Sequence, residues 1–183
     1  IEARTADIAD AVKRGADEID IVLNRSAFLS GDEQRAFEEI VASKDACGEA
    51  HLKVILEVGE LGSYDKIRQA SMLAMAAGAD FIKTSTGKIP QASSLPRVLC
   101  MAEAVRDFAQ QTNISVGIKA AGGIRTAKQA WHYLVVIGET LGTEWLSPEM
   151  FRIGASSLLN DVLLQLNRLD SGSYSGPDYV TVD

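Results

Sequence analysis

Three ionisable residues in this chain have types and positions that could do chemistry. Asp20 lies inside "EIDIV", Lys83 inside "DFIKTSTGKIP" (80–90), and Lys119 near the end of "ISVGIKA". Each sits in an aliphatic, strand-like run, where a charge is costly to desolvate unless it is paired or its amine is used. Two lysines converging in a partly dry cavity would lower each other's pKa, through burial and like charge. A neutral amine can then attack a carbonyl and form a Schiff base, whose protonated imine is an electron sink. Asp20 would serve as acid and base, directly or through a water. The competing reading is structural, with each lysine paired to a carboxylate such as Asp20 or Glu57, and the residues alone leave both open. Alternation puts Phe81, Lys83 and Ser85 on one strand face, and Ser115, Gly117 and Lys119 on another. Small residues beside each lysine predict a cavity under the amine.

Glycine and small hydroxyl residues form a second group. "STGK" (85–88), "AGGIR" (121–125) and "GASS" (154–157) each follow a strand-like run. "GASS" opens a helix, so its backbone N–H groups and the helix dipole face an anion. Ordinary tight turns and serine N-caps would look the same in any one loop, but two successive loops favour phosphate. Lys88 and Arg125 are candidate supports, or solvated charges. Lys53 shares a strand face with Ile55 and Glu57 and reads as a supporting residue. His51 and His132 are isolated, and Trp131 and Trp145 read as packing of an outer helix layer. No Cys/His/carboxylate cluster has metal-ligand spacing, so no metal is expected.

These side chains must be positioned by regular elements. Strands are expected over 18–24, 52–58, 81–85, 114–120 and 151–155. Helices are expected from the start of the chain to Gly15, and over 32–47, 63–80, 94–112, 126–142 and 156–169. Ser63 is the N-cap and Gly78 the end of the third, and Pro96 lies in the first turn of the fourth. Strict alternation means parallel strands with helical crossovers, apolar on both faces. Lys83, Lys119 and Gly154 lie 36 and 35 positions apart. That regularity favours a (β/α)8 barrel over a doubly wound sheet, and no strand leads into G-x-G-x-x-G. Barrel sites lie at the C-terminal strand ends, with phosphate sites in the loops after strands seven and eight.

Five strands are read, not eight. Three more units of about 30 residues would approach the roughly 250 of a whole barrel. The chain also starts without Met, in what reads as mid-helix. It is therefore expected to hold the last five units of a (β/α)8 barrel as one domain, 1–169, with residues missing upstream. The tail, 170–183, is expected to be flexible, and Tyr174 or Tyr179 could fold back over the site.

The 183 residues carry a net charge of −7, which argues against nucleic acid as a partner. Apolar residues make up 46% and aromatics only 6%, so the core is aliphatic. No apolar run reaches the roughly 20 residues of a membrane span, and no signal-peptide pattern is read. Cys47 and Cys100 look like thiols of a reducing compartment, so a cytoplasmic location is expected.

"GADEIDIVLNR", "LKVILEVGEL", "GADFIKTSTGK", "GIKAAGGIR" and "FRIGASSLL", in this order and spacing, resemble the deoxyribose-phosphate aldolases up to about residue 169. The resemblance implies a class I aldolase on a (β/α)8 barrel. Such an enzyme cleaves 2-deoxy-D-ribose 5-phosphate reversibly to D-glyceraldehyde 3-phosphate and acetaldehyde, without metal or organic cofactor. It implies Lys83 as the Schiff-base lysine, Lys119 as the lysine that lowers its pKa, and Asp20 as the acid/base. Gly87, Lys88, Gly122, Gly123, Gly154, Ser156 and Ser157 match positions that hold the substrate and its phosphate. A phosphorylated sugar is the expected partner, with a homodimer left open. Ala120 departs from the family, which usually has proline there, where it would fix a turn. The absent upstream strands are the larger departure, since the family places residues from them at the pocket wall. Two alternatives remain: another Schiff-base aldolase of phosphorylated sugars, and a non-catalytic barrel fragment that keeps the phosphate nest.

Overall fold

The computed structural model describes residues 1–89 and 92–176. Strand and helix alternate along the chain: α1 (Glu2–Lys13), β1 (Glu18–Val22), α2 (Arg25–Leu29), α3 (Glu33–Cys47), β2 (His51–Ile55), α4 (Tyr64–Ala76), β3 (Phe81–Lys83), α5 (Leu95–Thr112), β4 (Gly117–Ala121), α6 (Ala127–Leu141), β5 (Phe151–Gly154) and α7 (Leu158–Ser171). A single 3-10 turn, Thr143–Trp145, precedes β5. The five strands form one parallel sheet in sequence order, β1-β2-β3-β4-β5.

Local signals explain the boundaries. Ser63 accepts a hydrogen bond from Lys66 N–H at 3.2 Å and starts α4. Thr126 and Gln129 close a capping box at the start of α6. Pro96 stands in the first turn of α5, where its missing N–H costs nothing. The short α2 was not expected. Asn24 caps it by accepting from Ala27 N–H at 3.1 Å, and it buries Ala27 and Phe28.

The helices cover one face of the sheet. Leu52, Val54, Ile82, Ile118 and Ala120 point into them and are fully buried, as are Ala70, Ala74, Met101, Val105 and Ile137 of the helices. The other face is concave and charged. This corrects the expectation that the strands are apolar on both sides. It also places Ala120 within a buried strand, not at a turn. The expected span of α7 ends at 169, whereas the helix runs to Ser171 and stops at Gly172. Tyr174 stacks on Arg168, with the guanidinium carbon 3.9 Å from the ring centroid. That is the far end of α7 from the strand C-termini, so Tyr174 does not cover the site. Tyr179 lies outside the described residues.

Candidate active site

Register brings the charged side chains together. Asp20 pairs with Lys53, Lys53 with Phe81, and Phe81 with Gly117. One step towards the C-terminal ends, Ile55 pairs with Lys83, Lys83 with Lys119, and Lys119 with Arg152. Side chains at paired positions of a parallel sheet share a face, so both rows project into the concavity.

Asp20, Lys83 and Lys119 meet as expected from the sequence. Lys83 Nζ donates to Asp20 Oδ2 at 2.6 Å. Burial alone would raise the Asp20 carboxyl. The hydrogen bond from Lys83, with the charges of Lys83, Lys53 and Lys119, outweighs it and holds the group below the usual aspartate value. Lys119 is held below the ordinary lysine value, first by burial and then by the Lys83 charge, with Asp20 opposing.

Beneath them lies a second charged group. Lys53 is ion-paired to Glu18, and its Nζ is 3.3 Å from Asp20 Oδ1. Arg152 reaches across from β5 and donates to both oxygens of Glu18 at 2.6 Å. Hydrogen bonds from Arg152 and Lys53 depress the Glu18 carboxyl to about 2. Phe81 fills the space between. The Arg152 guanidinium carbon lies 4.9 Å and Lys53 Nζ 5.8 Å from its ring centroid. The expected cavity beside Gly117 is therefore absent: a Cβ there would fall 2.3 Å from the Phe81 ring. Glycine at 117 admits phenylalanine rather than substrate. Neither Glu18 nor Arg152 was singled out from sequence, though each shares its strand's alternation with a residue that was.

The open space lies above the lysines. A cleft of about 390 Å³ is lined by Lys83, Thr86, Gly87, Lys119, Gly122, Gly123, Arg125, Gly154, Ser156 and Ser157. Gly122 has a left-handed φ of +91°, and a Cβ there would lie 2.3 Å from Ala92 Cβ. Gly123 follows at φ +84°. Ser157 is the N-cap residue of α7, and its hydroxyl makes no capping bond. This leaves the hydroxyl free to meet a ligand beside the helix N-terminus. Lys88 stands apart: it is exposed and off the cleft lining, and its backbone N–H donates to Thr86 Oγ1 at 3.2 Å. Arg125 lines the cleft with an exposed side chain. A larger cleft of about 500 Å³, beside Val58, Tyr64 and Arg97, holds none of the paired lysines.

Glu57 is not a partner of either lysine. It is buried, takes a left-handed φ of +55°, and accepts from Thr86 N–H at 3.2 Å and Thr86 Oγ1 at 2.6 Å. Arg25 lies 3.6 Å away. Glu57 thus ties down the loop after β3, which forms one wall of the cleft. Among the described residues, no group of three or more His, Cys, Asp or Glu is placed to hold a metal ion. No helix there is long and apolar enough to cross a membrane.

Known proteins resemble this chain in sequence and fold. The family model of the DeoC/LacD family aldolases matches residues 2–163. The deoxyribose-phosphate aldolases of Mus musculus and Homo sapiens are each 48% identical over 175 residues, covering 96% of this chain and 55% of theirs. The chain thus spans about half the length of these curated relatives. Among solved structures, an aldolase named QR15 superposes with a TM-score of 0.72 at 29% identity, over 94% of this chain and 69% of its own. The curled parallel sheet is a five-unit arc of a (β/α)8 barrel. With a family match over most of its length and paired lysines at its strand ends, this chain belongs to the DeoC/LacD family of aldolases.

Proposed function

We propose that the chain carries the catalytic half of a class I aldolase acting on 2-deoxy-D-ribose 5-phosphate. The observation that carries this reading is the Lys83–Asp20 contact at 2.6 Å, beside Lys119 and below a glycine- and serine-lined cleft. Lys83 Nζ attacks the aldehyde carbon, C1, of the open-chain sugar. Asp20 takes one proton from the Lys83 ammonium, a second passes from nitrogen to the carbonyl oxygen on attack, and Asp20 returns its proton to the carbinolamine hydroxyl, which leaves as water. The iminium so formed draws the electron pair of the C2–C3 bond as that bond breaks. Asp20, a carboxylate again, accepts the C3 hydroxyl proton, giving D-glyceraldehyde 3-phosphate and an enamine, and later returns it to C2. Protonation at C2 and hydrolysis then release acetaldehyde and free Lys83.

Lys119 stands beside Lys83 in register on the neighbouring strand and supports this sequence from there. Its own lowered pKa suits it to proton transfer. The phosphate is assigned to the backbone of Gly122 and Gly123, the N-terminus of α7 with Ser156 and Ser157, and Gly87. Arg125 and Lys88 are assigned to outer support. The product chemistry fits breakdown of deoxynucleosides in the cytosol.

Borohydride reduction in the presence of acetaldehyde tests the reading. It is expected to leave an ethyl group on Lys83, located by peptide mass mapping. Lys83→Leu is expected to abolish both the adduct and turnover. An adduct on another lysine, or full activity of Lys83→Leu, would refute it.

A further inference from the structure

Lys53 is unusual among the charges of the concave face. Its side chain is 3% exposed, whereas those of Glu18 and Asp20 are about one-third exposed. A buried ammonium is tolerated only when its charge is compensated and its protons are accepted. Glu18 and Asp20, two positions apart on β1, compensate the charge, and Glu18 accepts a hydrogen bond from Lys53 Nζ. The ring of Phe81 closes in beside it. Lys53 is thus held on several sides.

The two oxygens of Asp20 have different partners. Lys53 lies on Oδ1 at 3.3 Å, and Lys83 lies on Oδ2 at 2.6 Å. Lys53 is fixed in the sheet, while Lys83 is the amine that changes during the reaction. Arg152 meets the second demand on Glu18, so that carboxylate is not left with Lys53 as its single partner.

We propose that Lys53 is a positioning residue: it grips Asp20 by Oδ1, so that Oδ2 alone is presented to Lys83 and to the proton moved there. This rests on the aldolase reading of Lys83. As the Lys83 nitrogen becomes an iminium it loses N–H donors, and its hold on Asp20 weakens. Lys53 then keeps the carboxylate ionised and in place for the next proton transfer. The charged groups around Asp20 come from every neighbouring element. Glu18 shares its strand, Lys53 stands on β2, Lys83 on β3 and Lys119 on β4. Arg152 of β5 reaches Glu18, and Arg4 and Asp7 of α1 share an open cleft with Asp20 along the edge of β1. Among these, Lys53 is the cation within ion-pair distance of Oδ1.

Two variants test this on the full chain. Lys53→Met removes the charge and keeps an unbranched stem. Lys53→Met combined with Glu18→Gln removes both charges of the Lys53–Glu18 pair and is read against Glu18→Gln alone, so that the loss of the Arg152 clamp is common to both. The first readout is a 13C NMR titration of the Asp20 carboxyl. Loss of a nearby cation favours the protonated form, so its midpoint is expected to rise by on the order of one pH unit in Lys53→Met, and in the double variant relative to Glu18→Gln alone. The second is turnover of 2-deoxyribose 5-phosphate against pH. We expect kcat to fall ~10–100-fold with KM within about threefold, and the acid limb to move up with Asp20.

An Asp20 midpoint in the double variant unmoved from that of Glu18→Gln alone overturns the proposal. So does a turnover in the double variant equal to that of Glu18→Gln alone, since that marks a lysine with no role beyond its pairing with Glu18. Borohydride trapping on the unsubstituted chain separates the two ideas. An adduct at Lys83 with an unmoved Asp20 removes Lys53 alone. The absence of an adduct removes the aldolase reading, and the role of Lys53 with it.

Discussion

At the scale of single residues, the two readings of the strand lysines turn out to be compatible. Lys83 is ion-paired with Asp20, as a structural lysine would be, yet it also borders an open cleft beside Lys119. A buried structural pair would have no such access. Burial and the Lys83 charge leave Lys119 below the ordinary lysine value. It therefore becomes neutral at lower pH than a solvated lysine does. In competitive acetylation followed by peptide mass spectrometry, Lys119 is expected to reach half-maximal reactivity below the normal lysine midpoint of about 10.4. A midpoint at or above that value would contradict the electrostatics described.

At the scale of elements, the site is assembled by strand register and by the loops that follow. A one-residue slip of β4 would turn Lys119 from the concave face into the helix layer. The loops are fixed by steric detail. Gly122 combines a left-handed φ with close approach to Ala92 and Ser85. Gly122→Ala is expected to cost about 2–4 kcal/mol, from left-handed strain together with overpacking. Chemical denaturation would measure this, with the midpoint falling. Gly123→Ala is expected to cost less, because its φ is also left-handed but nothing lies within 4 Å of its Cβ. Equal losses at the two sites would show that the contact with Ala92 is unimportant.

At the scale of the whole molecule, the sheet curls until its two ends communicate. The strands β1 and β5 stand at opposite ends of the hydrogen-bonded order, yet Arg152 and Glu18 meet across the concavity. The folded Glu18 carboxyl titrates near 2, against 4.5 for the unperturbed group. A depressed carboxyl contributes stability that is fully present above the unfolded value and is lost as pH falls towards the folded one. Urea midpoints are therefore expected to fall between about pH 4.5 and pH 2. Glu18→Gln should be less stable at neutral pH and show a flatter decline over that window. An unchanged slope would mean that the clamp does not hold the sheet's ends. The last helix is seated lightly by comparison: Leu158 is its buried residue, while Leu159, Leu166 and Leu169 are exposed.

The sequence by itself determined the order of elements, the parallel alternation and the three residues that carry the proposed chemistry. These follow from local signals: aliphatic runs, Ser63 and Pro96 at helix starts, and lysines set into strands. Only the tertiary structure decided what surrounds them. The partners of Lys53 lie 33 and 35 positions away, and Arg152 stands 134 positions from Glu18. No local pattern encodes such distances; they are set by the curvature of the sheet and the register of its strands. The same reason explains the two misreadings at this site. Gly117 looked like empty space until Phe81 of the next strand filled it. Glu57 looked like a partner for lysine until its left-handed backbone turned it to Thr86 and Arg25. Composition and periodicity place a residue on a face, but packing between strands fixes what it touches there.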